Sequence, residues 1–334
     1  MRKRKVFLDI GINGAFLTRR WEEPENFMRL TKELGYDYHE FCSDVLDPFF
    51  SGDKDYQMET AKKIREYAEK YEVIIWDYYT GMATHRFHGL SHSDERVRRR
   101  MREWIHNAID IAKEMGAKYI GGHWDAISVE VLEDEERTKK VVENIYKEFR
   151  ELSQIVKEKG LLGICNEQMY IPSEKPWTLE EAEKFLIEVN KENSGSACYL
   201  TIDVGHQAGM HYGLNGDNLS YVEWLKRFAV FSPIIHLQQT TPDTSSHWPF
   251  TEEYNKIGHV KIEEILSAIK WSYENYRKNP VSYYIRPVEK IILMVEVIPA
   301  SIKTERNLLK ELKDTEEYLR KYIPKGGLIY EFEE

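Results

Sequence analysis

Cysteine is scarce in this chain. Only Cys42, Cys165 and Cys198 occur in 334 residues, an odd number with no Cys-x-x-Cys spacing. That excludes a disulfide framework and a cysteine-built zinc site, and leaves reduced, buried thiols in a cytoplasmic protein as the expectation. No apolar run approaches the ~20 residues of a membrane span, and no signal-peptide pattern opens the chain, so no membrane partner is expected. Positive charge is in deficit: 47 Lys and Arg face 57 Asp and Glu, a formal net charge of −10. Nucleic-acid partners ask for a basic face that displaces counterions, and only the opening MRKRK clusters positive charge. No Gly-x-Gly-x-x-Gly follows a strand, which argues against a dinucleotide-binding sheet. No Pro/Gly/Ser-rich linker or low-complexity stretch divides the chain, so residues 1–334 read as a single domain.

What is present is an alternation. Hydrophobic residues make up 42% of the chain and aromatics 13%, enough for a sizeable core. Eight apolar runs read as strands: 6–12, 36–42, 73–79, 118–124, 161–167, 199–204, 234–239 and 291–297. Several are near-continuous Val/Ile/Leu/Tyr, as strands covered on both faces require. Amphipathic stretches fill the gaps at 24–35, 56–72, 94–116, 132–160, 178–191, 219–230, 260–277 and 303–322. The fourth opens acidic and closes on Lys157, Lys159 and Gly160, the charge order a helix dipole favours with a glycine stop. Such an alternation fits a doubly wound sheet or a (β/α)8 TIM barrel, and the count of eight favours the barrel. Three long connections, 80–95, 170–178 and 240–259, leave the carboxyl ends of strands, where a barrel builds its site.

The last four strands each carry an ionisable residue in or beside an apolar run. Glu167 ends LLGICNE, Asp203 ends YLTID, His236 lies in IIHLQQ and Glu296 lies in IILMVEV. Burying three carboxylates near one another demands compensating charge. One imidazole and three carboxylates suit a divalent cation: Mn²⁺, Co²⁺, Mg²⁺ or Zn²⁺. His206 follows Asp203 by three residues. Gly121 and Gly122 precede His123 and Trp124 and would let the backbone approach another group closely. Trp76, Tyr78 and Tyr79 end the third strand, and one of them is expected to wall a pocket. Glu40 reads as orienting a hydroxyl or, the favoured reading, salt-bridging Arg19, and His85, His88 and His92 as loop surface or lid. Asp243 and His247 are candidates for a second cation site or a substrate contact.

These stretches (CNEQ, TIDVGH, IIHLQQT, MVEVIP and NKIGHVKIEEIL) together resemble the xylose-isomerase-like barrel superfamily of sugar isomerases and epimerases. The resemblance covers most of the chain. In its ketose 3-epimerase branch a Glu, an Asp, a His and a Glu from the last four strands bind one metal ion, Mn²⁺ foremost. By position these are Glu167, Asp203, His236 and Glu296. The resemblance implies that Glu167 and Glu296 are the acid/base pair of a metal-stabilised enediolate mechanism. It implies that His206 contacts a sugar or sugar phosphate, with His123, Trp124, Tyr79 and Gln239 as further substrate-binding positions. It also implies a homo-oligomer, dimer or tetramer. Two departures bear on the substrate. Many relatives are acidic where Gln239 stands, and the interval from His236 to Glu296 is longer than in compact epimerases. A sugar-acid dehydratase or lyase on the same metal site, an apurinic endonuclease-like hydrolase, and a non-catalytic carbohydrate-binding barrel are the alternatives.

Overall fold

The computed structural model describes residues 3–81, 85 and 87–333; residues 1–2 of the basic opening and 82–84 and 86 of the 80–95 connection lie outside them. Eight parallel strands close into a ring: β1 (Lys3–Asn13), β2 (Tyr38–Cys42), β3 (Ile74–Tyr79), β4 (Tyr119–Gly122), β5 (Gly163–Glu167), β6 (Ala197–Asp203), β7 (Ile234–Leu237) and β8 (Lys290–Val295). Each pairs with the next, and β1 pairs with both β8 and β2. The barrel expected from the alternation is the fold observed. β4 stops short of the expected 118–124 because Gly122 takes φ +107° and turns the chain out of the sheet.

The ring of helices comprises α1 (Pro24–Glu33), α2 (Lys54–Lys70), α3 (Glu95–Met115), α4 (Glu135–Glu158), α5 (Leu179–Asn190), α6 (Tyr221–Phe228), α7 (Ile262–Asn275) and α8 (Glu305–Leu319). Asp53, Asp94, Asp134, Thr178, Ser220 and Thr304 cap six of them, each side chain accepting from a first-turn N–H. Each such cap contributes about 1 kcal/mol. These caps terminate the strand-to-helix connections, so they also pin the loops at the carboxyl face of the barrel. The 240–259 connection is not wholly irregular: a short helix spans Glu252–Ile257 inside it.

The core has two layers. Leu8, Ile10, Ile164, Leu200, Ile202, Ile235 and Leu293 belong to the large cluster shared by the sheet and the helices. Inside the barrel, Tyr38, Trp76, Tyr119, Cys165, Ile234, Ile292 and Met294 form a separate cluster, a packed floor. A bulge in the β2–β3 register delivers Trp76 to that floor: His39 pairs Ile75 and Glu40 pairs Asp77, leaving Trp76 as the extra residue. Its ring meets Tyr38 at 5.7 Å edge-on, and its N–H donates to the Pro233 carbonyl at 3.1 Å. All three cysteines are buried and free. Among the described residues, no helix is long and apolar enough to cross a membrane.

One strand was not anticipated. β9 (Leu328–Glu333) runs antiparallel to the first half of β1, from Lys3↔Glu333 to Leu8↔Leu328. Leu328, Ile329, Tyr330 and Phe332 suit a strand by residue type, but only Phe332 of the six residues is buried, as befits an edge strand added to β1.

Candidate active site

β5 and β6 end on Glu167 and Asp203, His236 is the third residue of β7, and Glu296 follows β8 directly. Parallel register sets Asp203 beside His236, so strand ends alone bring the side chains together. One donor atom from each of the four lies within 4.8 Å of all the others. His236 Nδ1 is 3.0 Å from Glu167 Oε1, 3.2 Å from Glu296 Oε2 and 3.8 Å from Asp203 Oδ2. All four residues are 5% exposed or less.

The electrostatics follow from that crowding. Burial works against a charged His236, yet Glu296 and Glu40 raise its pKa well above the imidazole range. Burial likewise opposes ionisation of Glu167, but His206 and His236 outweigh it and bring its pKa down to about 2. Glu296 is held well below the usual carboxylate range, with His236 and His247 overcoming burial. Burial raises Asp203, against the pull of His206 and His247. Both glutamates are thus ionised, the form a proton acceptor needs. Glu296 Oε2 is buried without a hydrogen-bond partner. A buried oxygen aimed into a cluster of three carboxylates and an imidazole fits a divalent cation, which would supply charge where only an imidazolium now does.

Surrounding groups fix these side chains. The Tyr79 hydroxyl donates to Glu167 Oε2. The Gln238 amide donates to both Asp203 oxygens, at 2.9 and 3.0 Å. His206 Nδ1 lies 2.9 Å from the Gln168 carbonyl, an acceptor, so that nitrogen carries a hydrogen, and Nε2 lies on the cluster side, 3.7 Å from Asp203 Oδ2. Beneath the cluster, Glu40 is fully buried with Oε2 2.9 Å from His236 Nε2, an ion-pair contact whose angle falls short of a hydrogen bond. Asn13 donates to the same oxygen at 2.6 Å and reaches Glu296 Oε1 at 3.5 Å. The expected Glu40–Arg19 salt bridge is not formed: Glu40 is buried inside the barrel against His236, while Arg19 reaches Ser301.

A cavity of about 490 Å³ opens above the cluster, lined by Glu167, Glu296, Tyr79 and His206 among others. Trp76 is in the floor and Tyr78 donates outward to the Leu46 carbonyl at 2.7 Å, so Tyr79 alone of the three reaches the cavity wall. Three of the expected substrate positions are elsewhere. Gln239 spends its amide on Asn255 and the Val260 carbonyl while its oxygen accepts from Thr240 and Val260, bracing the loop after β7. Trp124 stacks on Phe149 at 5.6 Å, behind the wall. His123 lies beside it, lining a smaller hollow, and meets the His85 ring at 5.8 Å. The glycines before His123 do permit close approach: a Cβ on Gly121 would overlap the Cys165 carbonyl, and one on Gly122 the Thr80 hydroxyl.

Two loop histidines enter the site. His85, expected at the loop surface or in a lid, lines the cavity. His247 takes φ +48°, an uncommon conformation for a residue with a side chain, and its Nδ1 lies 3.3 Å from Glu296 Oε2. Asp203, His206 and His247 form a second, overlapping set of potential ligands. Asp243, the expected companion of His247, is exposed. Only the identity of these histidines pointed to them; loop sequence does not state where a loop goes.

A closed (β/α)8 barrel whose last four strands deliver three carboxylates and an imidazole to one point is a TIM barrel built around a candidate cation centre. The chain belongs to the xylose isomerase-like TIM barrel family, whose model matches residues 28–278. It is 26% identical over 183 residues to a Brucella abortus protein named D-erythrulose 1-phosphate 3-epimerase; the match spans 55% of this chain and 58% of that protein's length. Among solved structures, a candidate xylose isomerase of Rhodospirillum rubrum superposes with TM-score 0.79 at 18% identity, covering 95% of this chain and all (100%) of the other. The D-psicose 3-epimerase of Clostridium cellulolyticum, solved with D-tagatose, gives 0.64 at 15% identity over 95% of this chain and 99% of its own.

Proposed function

We propose that this chain is a divalent-cation-dependent sugar isomerase that epimerises a ketose or ketose phosphate. The observation that carries the reading is a pair of buried, ionised glutamates from different strands, Glu167 and Glu296, sharing one imidazole at the base of a sugar-sized cavity. The names of the Brucella relative and of the Clostridium structure support the same class.

The proton on the carbinol carbon beside a ketose carbonyl is hard to remove because the electron pair left behind must be stabilised. Glu167, Asp203, His236 and Glu296 would hold the cation, Mn²⁺ first among Mn²⁺, Co²⁺, Mg²⁺ and Zn²⁺. When bound, it supplies Lewis-acid stabilisation of the negative charge that develops on the substrate oxygens. One glutamate accepts the carbon-bound proton. The other, protonated from solvent, returns a proton to the opposite face of that same carbon, giving an epimer; removal from the terminal carbinol carbon instead, with return to the former carbonyl carbon, would give the aldose. Tyr79 holds the Glu167 carboxylate in one orientation. His206, its ring held by the Gln168 carbonyl, would meet a substrate hydroxyl through Nε2. A homo-oligomeric state, dimer or tetramer, is part of the same reading.

NMR in D₂O tests it directly. Free and phosphorylated ketoses incubated with enzyme and Mn²⁺, Co²⁺ or Mg²⁺ should gain deuterium at a single carbon. Glu167→Gln and Glu296→Gln should each slow that exchange about 10²- to 10⁴-fold. If no ketose gains deuterium with any of the cations, the isomerase reading is wrong.

A further inference from the structure

The cavity has two ends of opposite character. Its base is the carboxylate–imidazole cluster. Its rim is made by the connection after β1, with Thr18, Arg19 and Arg20, and by the connection after β8, with Ile298, Pro299 and Ser301. The two arginines are used differently. Arg20 is consumed: Nη1 pairs with Glu305 Oε1 at 2.6 Å and Nη2 donates to the Ala300 carbonyl at 3.2 Å, strapping the two connections together. Arg19 is exposed and makes no ion pair among the described residues. Its Nη2 donates to Ser301 Oγ at 3.3 Å across the rim. The other carboxylates along the wall, Asp44 and Glu174, have interactions of their own, and Glu305 is taken by Arg20. Arg19 also holds φ +63°, the left-handed region that a residue with a Cβ rarely enters.

A neutral polyol does not call for a guanidinium. It is satisfied by hydroxyls and amides, and beside a carboxylate-rich base an arginine without a counterion is an unneeded charge. A phosphate monoester does call for one. Guanidinium N–H groups form a planar fork that matches two phosphate oxygens, and a serine hydroxyl can donate to a third. One cavity of about 490 Å³ is lined by both the cluster and Arg19, so it offers a buried base for the reacting carbons and an open rim for a terminal group.

We infer that Arg19, with Ser301, is the anchor for a terminal phosphate, and that the substrate is a phosphorylated ketose with its reacting carbons at the glutamates and its phosphate at the rim. This rests on the isomerase reading above and names the substrate class for that same cavity. The preference should appear in the ratio of kcat/KM for a ketose phosphate over the same ketose unphosphorylated.

The experiment compares that ratio, read by deuterium incorporation, in the wild type, Arg19→Ala and Arg19→Lys. Arg19→Ala should lower the ratio about 10- to 100-fold, the effect of losing charge-assisted hydrogen bonds, mostly through KM; Arg19→Lys should recover part of it. Inorganic phosphate should inhibit the wild type competitively at millimolar concentration and Arg19→Ala far more weakly. A ratio unchanged by Arg19→Ala, or a wild type that handles free ketoses as well as their phosphates, overturns the phosphate anchor and leaves the isomerase reading standing. Absence of exchange with every ketose overturns both.

Discussion

A carboxylate as deeply buried as Glu40 is held only by what touches it, and here that is His236 and Asn13. Contacting Nε2 from below leaves Nδ1 to face the cluster, the arrangement in which an outer carboxylate orients a ligating histidine and raises its basicity. Glu40→Gln should therefore weaken Mn²⁺ binding about 10- to 100-fold, measured by competition with a fluorescent chelator, with the far-ultraviolet dichroism unchanged. Affinity within twofold of wild type would remove Glu40 from the site's support. Glu167, Asp203, His236 and Glu296 were legible in the sequence because a charge inside an apolar strand is anomalous wherever the strand lies. Position at a strand end does not reveal side-chain direction: Trp124 and Gln239, which the resemblance implied as substrate contacts, stack on Phe149 and brace the loop after β7. His85 and His247 were legible only as residue types, because the loops that carry them are placed by tertiary contacts.

Strand β2 shows how one element serves two layers. Glu40 points to the barrel interior while its neighbour His39 points to α1, where Nδ1 meets the Thr31 hydroxyl at 2.9 Å. That hydroxyl already donates to the Phe27 carbonyl at 2.8 Å, so His39 donates from Nδ1. Burial lowers its pKa to about 3. In the unfolded chain the value is about 6.5. Between those limits the unfolded state binds more protons, so this residue's contribution to stability is intact above about pH 6.5 and is lost as the pH falls toward 3. The loss is on the order of 5 kcal/mol at most. Urea midpoints of wild type and His39→Gln should therefore converge, or cross, as the pH is lowered; a constant gap would show that His39 titrates normally. Element order and type were readable from period and caps. The ends were less so, and β9 went unread, because its short apolar stretch follows the last helix and lies outside the eightfold alternation of strand and helix.

At the scale of the molecule, one guanidinium ties the last helix to the first strand. Arg320 bonds Asp9 of β1 at 2.7 Å and Glu316 of α8 at 3.1 Å, and both carboxylates are 3% exposed or less. Arg320→Ala would strand two buried carboxylates, one of them still reached by Lys313 at 2.8 Å. The expected cost is about 3–5 kcal/mol, read as a lowered urea midpoint with an unchanged slope. A cost below about 1 kcal/mol would mean that water reaches the pair.

The antiparallel seam between β1 and β9 has a mechanical consequence. Lys3 and Glu333 are opposite rungs at the same end of that ladder. Tension applied between them loads the rungs one after another instead of all together, so the seam should peel like a zipper at low force before the parallel ring yields. A tether moved from residue 333 to residue 328, at the far end of the same seam, would load the rungs in shear and should need a markedly higher force.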